Sequence, residues 1–597
     1  MHKGRFFGQT HWVHGAAEYL KMMETVEPLL LDETSKVRHD VQKSKYLSHK
    51  IKLRRTPPWP TSPTTEMPTK DVADSLVEIY LRTFESVRRV LHIPSFRRDY
   101  EALWASDDPP DMAFVVQLKL VLSLGAAMYD DNFSLLPSAV RWVREAQTWF
   151  SEPASKSRLT MQFLQTNILL ILARDVVGVS GTLVWISVGS LLRLAMFMGL
   201  HRDPSYLPGR RSTLTAEMHR RLWNTILEIT LQTSLESGGP PLLSLDDFDT
   251  QPPGNFDDDQ ITTEDAAPRP PEEFTQMSIA LALRKLFPLR LAILRFLNSI
   301  GAHKSYNETL RLDSELRSSY KSICRALQAS RSQNGKQPSQ FQTHILEWLV
   351  QQTFLALHVP FFTATMHETA FAFSRKVVID SCIKAWCAIH PASSIMKSSL
   401  QADIAPTELQ DMLRLVTCAS GTVRYASMTI CCLVSAELKT QIQEEERLGP
   451  VLLRGDLLSI LDDAKDWIWR CIGTSEMNFK GYMLLCMTCA HIDALVRGTS
   501  KELIPGVLLK AAEDSAARCL ALFQEKAGVD ESECGIDFEE MSALSGDNLP
   551  DVLMGNWWFS MPYAQPNFDV TDSMNWVYNG MASSTQMQST RSGGQIW

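Results

Sequence analysis

Residues 71–87 read DVADSLVEIYLRTFESV, and Leu76, Ile79, Tyr80, Phe84 and Val87 recur at the spacing of one face of an α-helix, with charges interleaved. The same period returns along most of the chain. Leu159–Ala173 and Leu183–Leu200 are strongly apolar, and residues 216–235 set Leu222, Ile226 and Ile229 on one side with Arg220, Arg221 and Glu228 largely elsewhere. Helical periodicity resumes over Phe274–Ser319 and Phe341–Phe523. No stretch alternates with the period of two that a half-buried strand needs, and no fixed repeat emerges. The pattern predicts an all-α fold with one large multi-helical body.

Around that body lie segments of other character. Residues 1–70 read as an N-terminal arm: a short amphipathic stretch near Ala16–Leu31, a basic run, then Pro57-Pro58-Trp59-Pro60-Thr61-Ser62-Pro63 as a linker. Residues 238–273, rich in proline and acids, read as a long surface loop. Residues 527–597 hold ten acids between Asp530 and Asp572 and no Lys or Arg from 527 to 590. Phe538, Trp557, Trp558, Phe559, Phe568 and Trp576 are scattered among them without periodicity, which predicts a disordered acidic-aromatic tail of the activation type.

Composition bounds the function. With 597 residues, 45% hydrophobic and 21% charged, most of the chain can bury a core. A net charge of -9 gives no global attraction to phosphates, so nucleic-acid contact needs a local basic patch. Lys50, Lys52, Arg54 and Arg55 form one, suited to nuclear import or phosphate contact, against the plainer reading of a solvated linker. The eleven cysteines run from Cys324 to Cys534, mostly in apolar stretches, as free thiols in a reducing compartment. Neither a secretory signal nor a membrane span is expected.

Three ordered phrases carry a resemblance. Tyr80–Trp104 holds Leu91-His92-Ile93-Pro94-Ser95-Phe96 between two helices; Leu191–Pro204 ends in Met198-Gly199-Leu200-His201-Arg202-Asp203-Pro204. The third runs from Glu217 through His219-Arg220-Arg221-Leu222-Trp223 to Gly239-Pro240-Pro241, Asp246-Asp247-Phe248-Asp249 and Asp257-Asp258-Asp259. Together they resemble the fungal-specific transcription factor domain of the zinc-cluster superfamily over residues 71–333, with 334–526 as a helical continuation. The resemblance implies an all-α regulatory domain of a nuclear transcription regulator of RNA polymerase II genes. The tail points to an activator, and the family to a secondary-metabolite or other metabolic gene cluster. Implied partners are other transcription factors or coactivators, a second copy of the chain, a small-molecule effector, and DNA reached indirectly or through a missing module; no membrane is implied. The family's zinc module needs six cysteines, yet the first cysteine here is Cys324, so zinc is expected only if a cluster lies outside this sequence, and no other cofactor is expected.

Other residues offer chemistry but have plainer readings. Asp246, Asp247, Asp249 and Asp257–Asp259 offer the metal-binding acids of an all-α cyclase, but with no partner metal motif they read as a solvated loop. Cys486, Cys489 and His491 read as buried groups of an apolar helix, and His11 with His14 as part of a docking segment. Gly178–Thr182 reads as a helix–helix turn rather than a nucleophile elbow. His92, His201, Arg202 and Asp203 read as structural caps and bridges, with Pro94 and Pro204 ending helices, and Trp185 and Trp223 as core anchors. No catalytic, cofactor or metal residue is expected. A non-activating partner that restrains a complete zinc-cluster factor is the alternative to an activator.

Overall fold

The computed structural model describes residues 8–11, 17–32, 35–106, 108–152, 158–179, 184–209, 211–299, 305–330, 335–362, 369–399, 406–419, 421–444, 453–474 and 479–528. Those residues belong to one unit, entirely helical apart from turns and loops, with no strand among them. Phe538, Trp557, Trp558, Phe559, Phe568 and Trp576 lie outside the described residues.

The helices are, in order, α1 (Ala17–Leu31), α2 (Lys36–Arg55), α3 (Lys70–Arg82), α4 (Phe84–Val87), α5 (Ile93–Ala105), α6 (Met112–Ala126), α7 (Leu136–Ser151), α8 (Met161–Val177), α9 (Val184–Phe197) and α10 (Thr213–Ser237). After the proline- and acid-rich segment come α11 (Ser278–Asn298), α12 (Tyr306–Ala329), α13 (Gln340–Phe362), α14 (Ala372–Ile389), α15 (Ser394–Ser399), α16 (Pro406–Cys418), α17 (Thr422–Glu444), α18 (Gly455–Thr474), α19 (Lys480–Val496) and α20 (Ile504–Ala527).

Helix α6 is buried from Val115 to Ala126 and packs on α3, α7 and α8. Its Gly125 is required by close approach, because a Cβ there would lie 2.3 Å from the Leu76 carbonyl oxygen. Helix α10 is buried on nearly every side from Glu217 to Leu235, between α9, α11 and α17. Its sequence suggested one apolar face with Arg221 and Glu228 outside it. Both are in fact interior: Arg221 meets Asp258, and Glu228 meets Arg290 of α11 at 2.8 Å. Charges enter a helix core at tolerable cost when each finds a partner.

The 71–87 face bends. Thr83 breaks the helix between α3 and α4, its hydroxyl donating to the Ile79 carbonyl at 2.5 Å. The break turns Glu85 inward with Phe84 and Val87.

The N-terminal arm is part of the fold. Helix α2 packs along α20 through Val37, Val41, Leu47 and Ile51, and α1 reaches α17, where the Tyr19 hydroxyl lies 3.2 Å from Ser435 Oγ. Thr10 Oγ1 donates to the Leu235 carbonyl at 2.6 Å, docking the segment that holds His11 on the end of α10; His14 lies outside the described residues. The proline-rich stretch lies along α6 and α7. Lys119 Nζ donates to the Thr64 carbonyl at 2.6 Å and pairs with Glu145 at 2.5 Å, and Thr61 N donates to Thr148 Oγ1. The buried Lys119 ammonium supplies the physical reason, since it must find acceptors and the stretch brings one.

In the C-terminal half, Trp386 stacks on His390 at 3.8 Å, His390 meets the edge of Trp467 at 5.2 Å, and Trp467 Nε1 donates to the Val416 carbonyl at 3.0 Å. Burial lowers His390 to about 3, so it is neutral at physiological pH.

If α2 is structural rather than a tethered arm, Leu47→Ala lowers stability by about 2–4 kcal/mol in chemical denaturation, the cost of a buried leucine. A loss below about 0.5 kcal/mol, the range of surface substitutions, would show that α2 does not rest on α20.

Candidate functional site

The first and third sequence phrases converge on one buried carboxylate. Asp258 Oδ1 accepts from Arg89 Nη2 at 2.5 Å and from Arg221 Nη1 at 2.6 Å, and all three side chains are buried. Its Oδ2 accepts from the Ile93 amide at 2.8 Å, its carbonyl lies 2.9 Å from His92 Nε2, and its amide donates to Gln276. Burial opposes the charge, but the two guanidinium groups outweigh it and hold the carboxyl below its usual range.

Glu85 forms the second layer. It accepts from the Tyr80 hydroxyl at 2.7 Å and from the amides of Val90 and Leu91 at 3.0 and 3.1 Å, and lies 3.8 Å from Arg89. Burial pushes its pKa to about 7, against the pull of Arg89 and Tyr80.

Asp203, from the second phrase, anchors an adjoining cluster. It takes both prongs of Arg220 at 2.9 Å and the amides of Ser205 and Gln251 at 3.0 Å. Burial would raise its pKa, yet these donors hold it far below the ordinary carboxylate range. Arg220 also binds Glu217, whose other oxygen accepts from the Gly254 amide, and Asp249 pairs with Arg202 while accepting from Asp203 N. His219 Nε2 lies 2.9 Å from the Arg202 carbonyl.

Several expectations are thereby corrected. Residues 238–273 are no simple surface loop: Leu243, Thr250, Phe256, Asp257, Asp258 and Ile261 are buried, because the strap carries the acids that neutralise Arg89, Arg202 and Arg221. Among the former cyclase candidates, Asp246 and Asp247 lie in a short 3-10 turn capped by Ser244, whose amide donates to Asp247, and Asp249 and Asp258 are committed to arginines. Pro94 and Pro204 begin helical turns rather than ending them. Trp223 is buried, and Trp185 is half-buried with Nε1 donating to Ser234 Oγ at 3.1 Å. Gly178 ends α8 in the left-handed conformation, as a turn there requires.

Of the basic run, Lys52 projects from α2, and Lys50 lies over the Tyr46 ring at 5.8 Å. Arg54 donates to the Ala527 carbonyl and Arg55 to the Thr474 carbonyl, each at 2.9 Å, so both meet the negative ends of helices α20 and α18. Burial pushes the Cys486 and Cys489 thiols up, Cys489 to about 12. Among the described residues no three His, Cys, Asp or Glu side chains gather as a metal site, and no helix is long and apolar enough to cross a membrane.

A second junction escaped the sequence reading. Thr422 Oγ1, at the start of α17, lies within bonding distance of Asp175 on α8 and Glu236 on α10, at 3.1 and 2.8 Å. Burial and mutual repulsion raise Glu236, and burial raises Asp175. Only spatial proximity reveals this pairing, because neither acid lies in a recognisable phrase.

This all-helical body is stapled by buried ion pairs, Arg89 and Arg221 with Asp258, Arg290 with Glu228 and Lys119 with Glu145. Residues 77–348 match the fungal specific transcription factor domain. The chain is 31% identical to "Transcription factor opdR" of Penicillium oxalicum over 92% of this chain and 72% of that relative. It is 30% identical to "Transcription factor lepE" of Aspergillus flavus over 87% of this chain and 63% of the relative. It is 31% identical to "Aspyridones cluster regulator apdR" of Emericella nidulans over 47% of this chain and 39% of the relative. The chain belongs to the fungal specific transcription factor domain family, whose named relatives are transcription factors, and it is a transcription regulator. No solved structure matches it.

Two outcomes test the network. Asp258→Ala strands two buried guanidinium groups and lowers stability by about 3–5 kcal/mol in denaturant titration; a near-neutral result would mean that the pairs do not form. For Glu85 the sign is opposite to that for Asp203: its raised pKa makes its contribution complete below the unfolded value near 4.5 and lost as pH rises through about 7. The thermal midpoint of Glu85→Gln, compared with the parent, shifts in the variant's favour from pH 5 to pH 8; a pH-independent difference contradicts the buried proton.

Proposed function

We propose that the chain is a nuclear activator of a fungal metabolic gene cluster, with the helical body as its regulatory scaffold and the acidic-aromatic tail as its contact with coactivators. The observation that carries this reading is the family match over residues 77–348, extended by relatives with transcription factor names along nearly the whole chain. One relative's name ties it to a metabolite cluster.

The N-terminal segment has no cysteine before Cys324, so its residues do not fit a thiolate zinc cluster. We infer that this chain reaches DNA through a bound partner or through a module outside this sequence, with Lys50 and Lys52 available for import receptors or phosphates. The sequence sets Trp557, Trp558 and Phe559 among acids, a composition suited to inserting a few aromatics into a coactivator groove.

The test is a reporter driven by the full chain fused to a foreign DNA-binding domain. Removing residues 530–597, or replacing Trp557, Trp558 and Phe559 together by Ala, drops output to background while protein level holds. Unchanged output would assign the chain instead to restraining a complete factor.

A further inference from the structure

A cleft of about 500 Å³ opens between α5, α6 and α8, the size range of small-molecule sites. Phe96 and Phe114, with ring centroids 5.9 Å apart, form its apolar wall together with Leu91 and Leu103. Three side-chain amides also line it: Gln117, Gln162 and Gln165. Gln165 Nε2 is committed to the Val90 carbonyl at 2.8 Å. Gln117 is buried, and its Nε2 has no hydrogen-bond partner. An unsatisfied buried amide is costly, and rotation of its terminal group offers either a donor or an acceptor to an occupant.

Charge narrows the occupant. Asp99, Asp108 and Asp111 line the mouth and no Lys or Arg does, so an anion is disfavoured. Asp111 also caps α6 through the Ala113 amide, and Asp99 pairs with Arg98 at the surface.

We propose that this cleft binds a small, neutral amphipathic molecule with an amide-type donor and acceptor for Gln117 and a ring or aliphatic body for Phe96 and Phe114. The occupant touches the chain that builds the charge network: His92 lines the cleft with Nδ1 2.8 Å from Ser95 Oγ, while its Nε2 meets the Asp258 carbonyl. An effector seated here bears on the segment joining Glu85, Arg89 and Asp258. That consequence rests on the regulatory reading above; the occupancy of the cleft does not.

The probe is indole-3-acetamide, titrated against the full chain by ligand-observed NMR, with indole-3-acetate as its charged counterpart. Ala102, on the exposed rim of the cleft, is replaced by Trp to fill it, and Gln117 by Leu. The proposal expects the amide to bind the parent, to bind Gln117→Leu about tenfold more weakly, and to lose binding to Ala102→Trp, with the acetate about tenfold weaker on the parent. Failure of the amide to bind the parent, equal binding by Ala102→Trp, or equal affinity for the acetate overturns it. Thermal midpoints establish that the variants are folded, and should Gln117→Leu not fold, Ala102→Trp decides. Binding is read without any transcriptional output, so its failure is separate from failure of the activator reading.

Discussion

Asp258 shared between Arg89 and Arg221 is the contact on which the rest of the N-terminal half depends. Arg89 follows α4, Arg221 lies within α10, and Asp258 sits on a strap 37 residues beyond Arg221, so one carboxylate fixes three segments distant in sequence. The attraction works because all three groups are removed from water, where a charge without a counter-charge costs several kcal/mol. Each partner is therefore obligatory for the others, and the strap cannot leave without exposing the charges it neutralises.

The same logic recurs outward. Asp203 with Arg220 seats the turn after α9 against α10, Glu228 with Arg290 joins α10 to α11, and Lys119 with Glu145 holds the proline-rich stretch on α6 and α7. Arg82 with Asp411, at 2.7 Å, and the Thr422 junction tie the N-terminal helices to α16 and α17. Apolar burial supplies the bulk of the driving force, but it is non-directional. Paired charges select which helix lies beside which.

The helical period made most of the fold legible, because apolar faces such as Leu76, Ile79 and Tyr80 are local properties. The ordered phrases pointed to the family for a related reason: their His, Arg and Asp residues are those that meet at Asp258 and Asp203. What stayed hidden was pairing across distance. Arg221 and Glu228 looked like the polar side of α10, and Asp258 like solvated acid, until each was seen beside its counter-charge. The N-terminal residues looked like an arm because the apolar positions of α2, Val37, Val41, Leu47 and Ile51, are diluted by Lys36, Lys43, Lys45, Lys50 and Lys52. The Gln117 cleft left no sequence signature, since a lone glutamine in an apolar helix reads as core.

A regulator built this way joins its helices through buried ion pairs, leaving the cleft by α5 and the basic surface of α2 to meet other molecules. The direct measurement of that pairing is a double-mutant cycle between Arg89 and Asp258, using Arg89→Met and Asp258→Leu, read by denaturant titration. The account predicts a coupling energy of about 2 kcal/mol or more. Additive losses, within about 0.5 kcal/mol, would contradict the claim that this pair holds the phrases together.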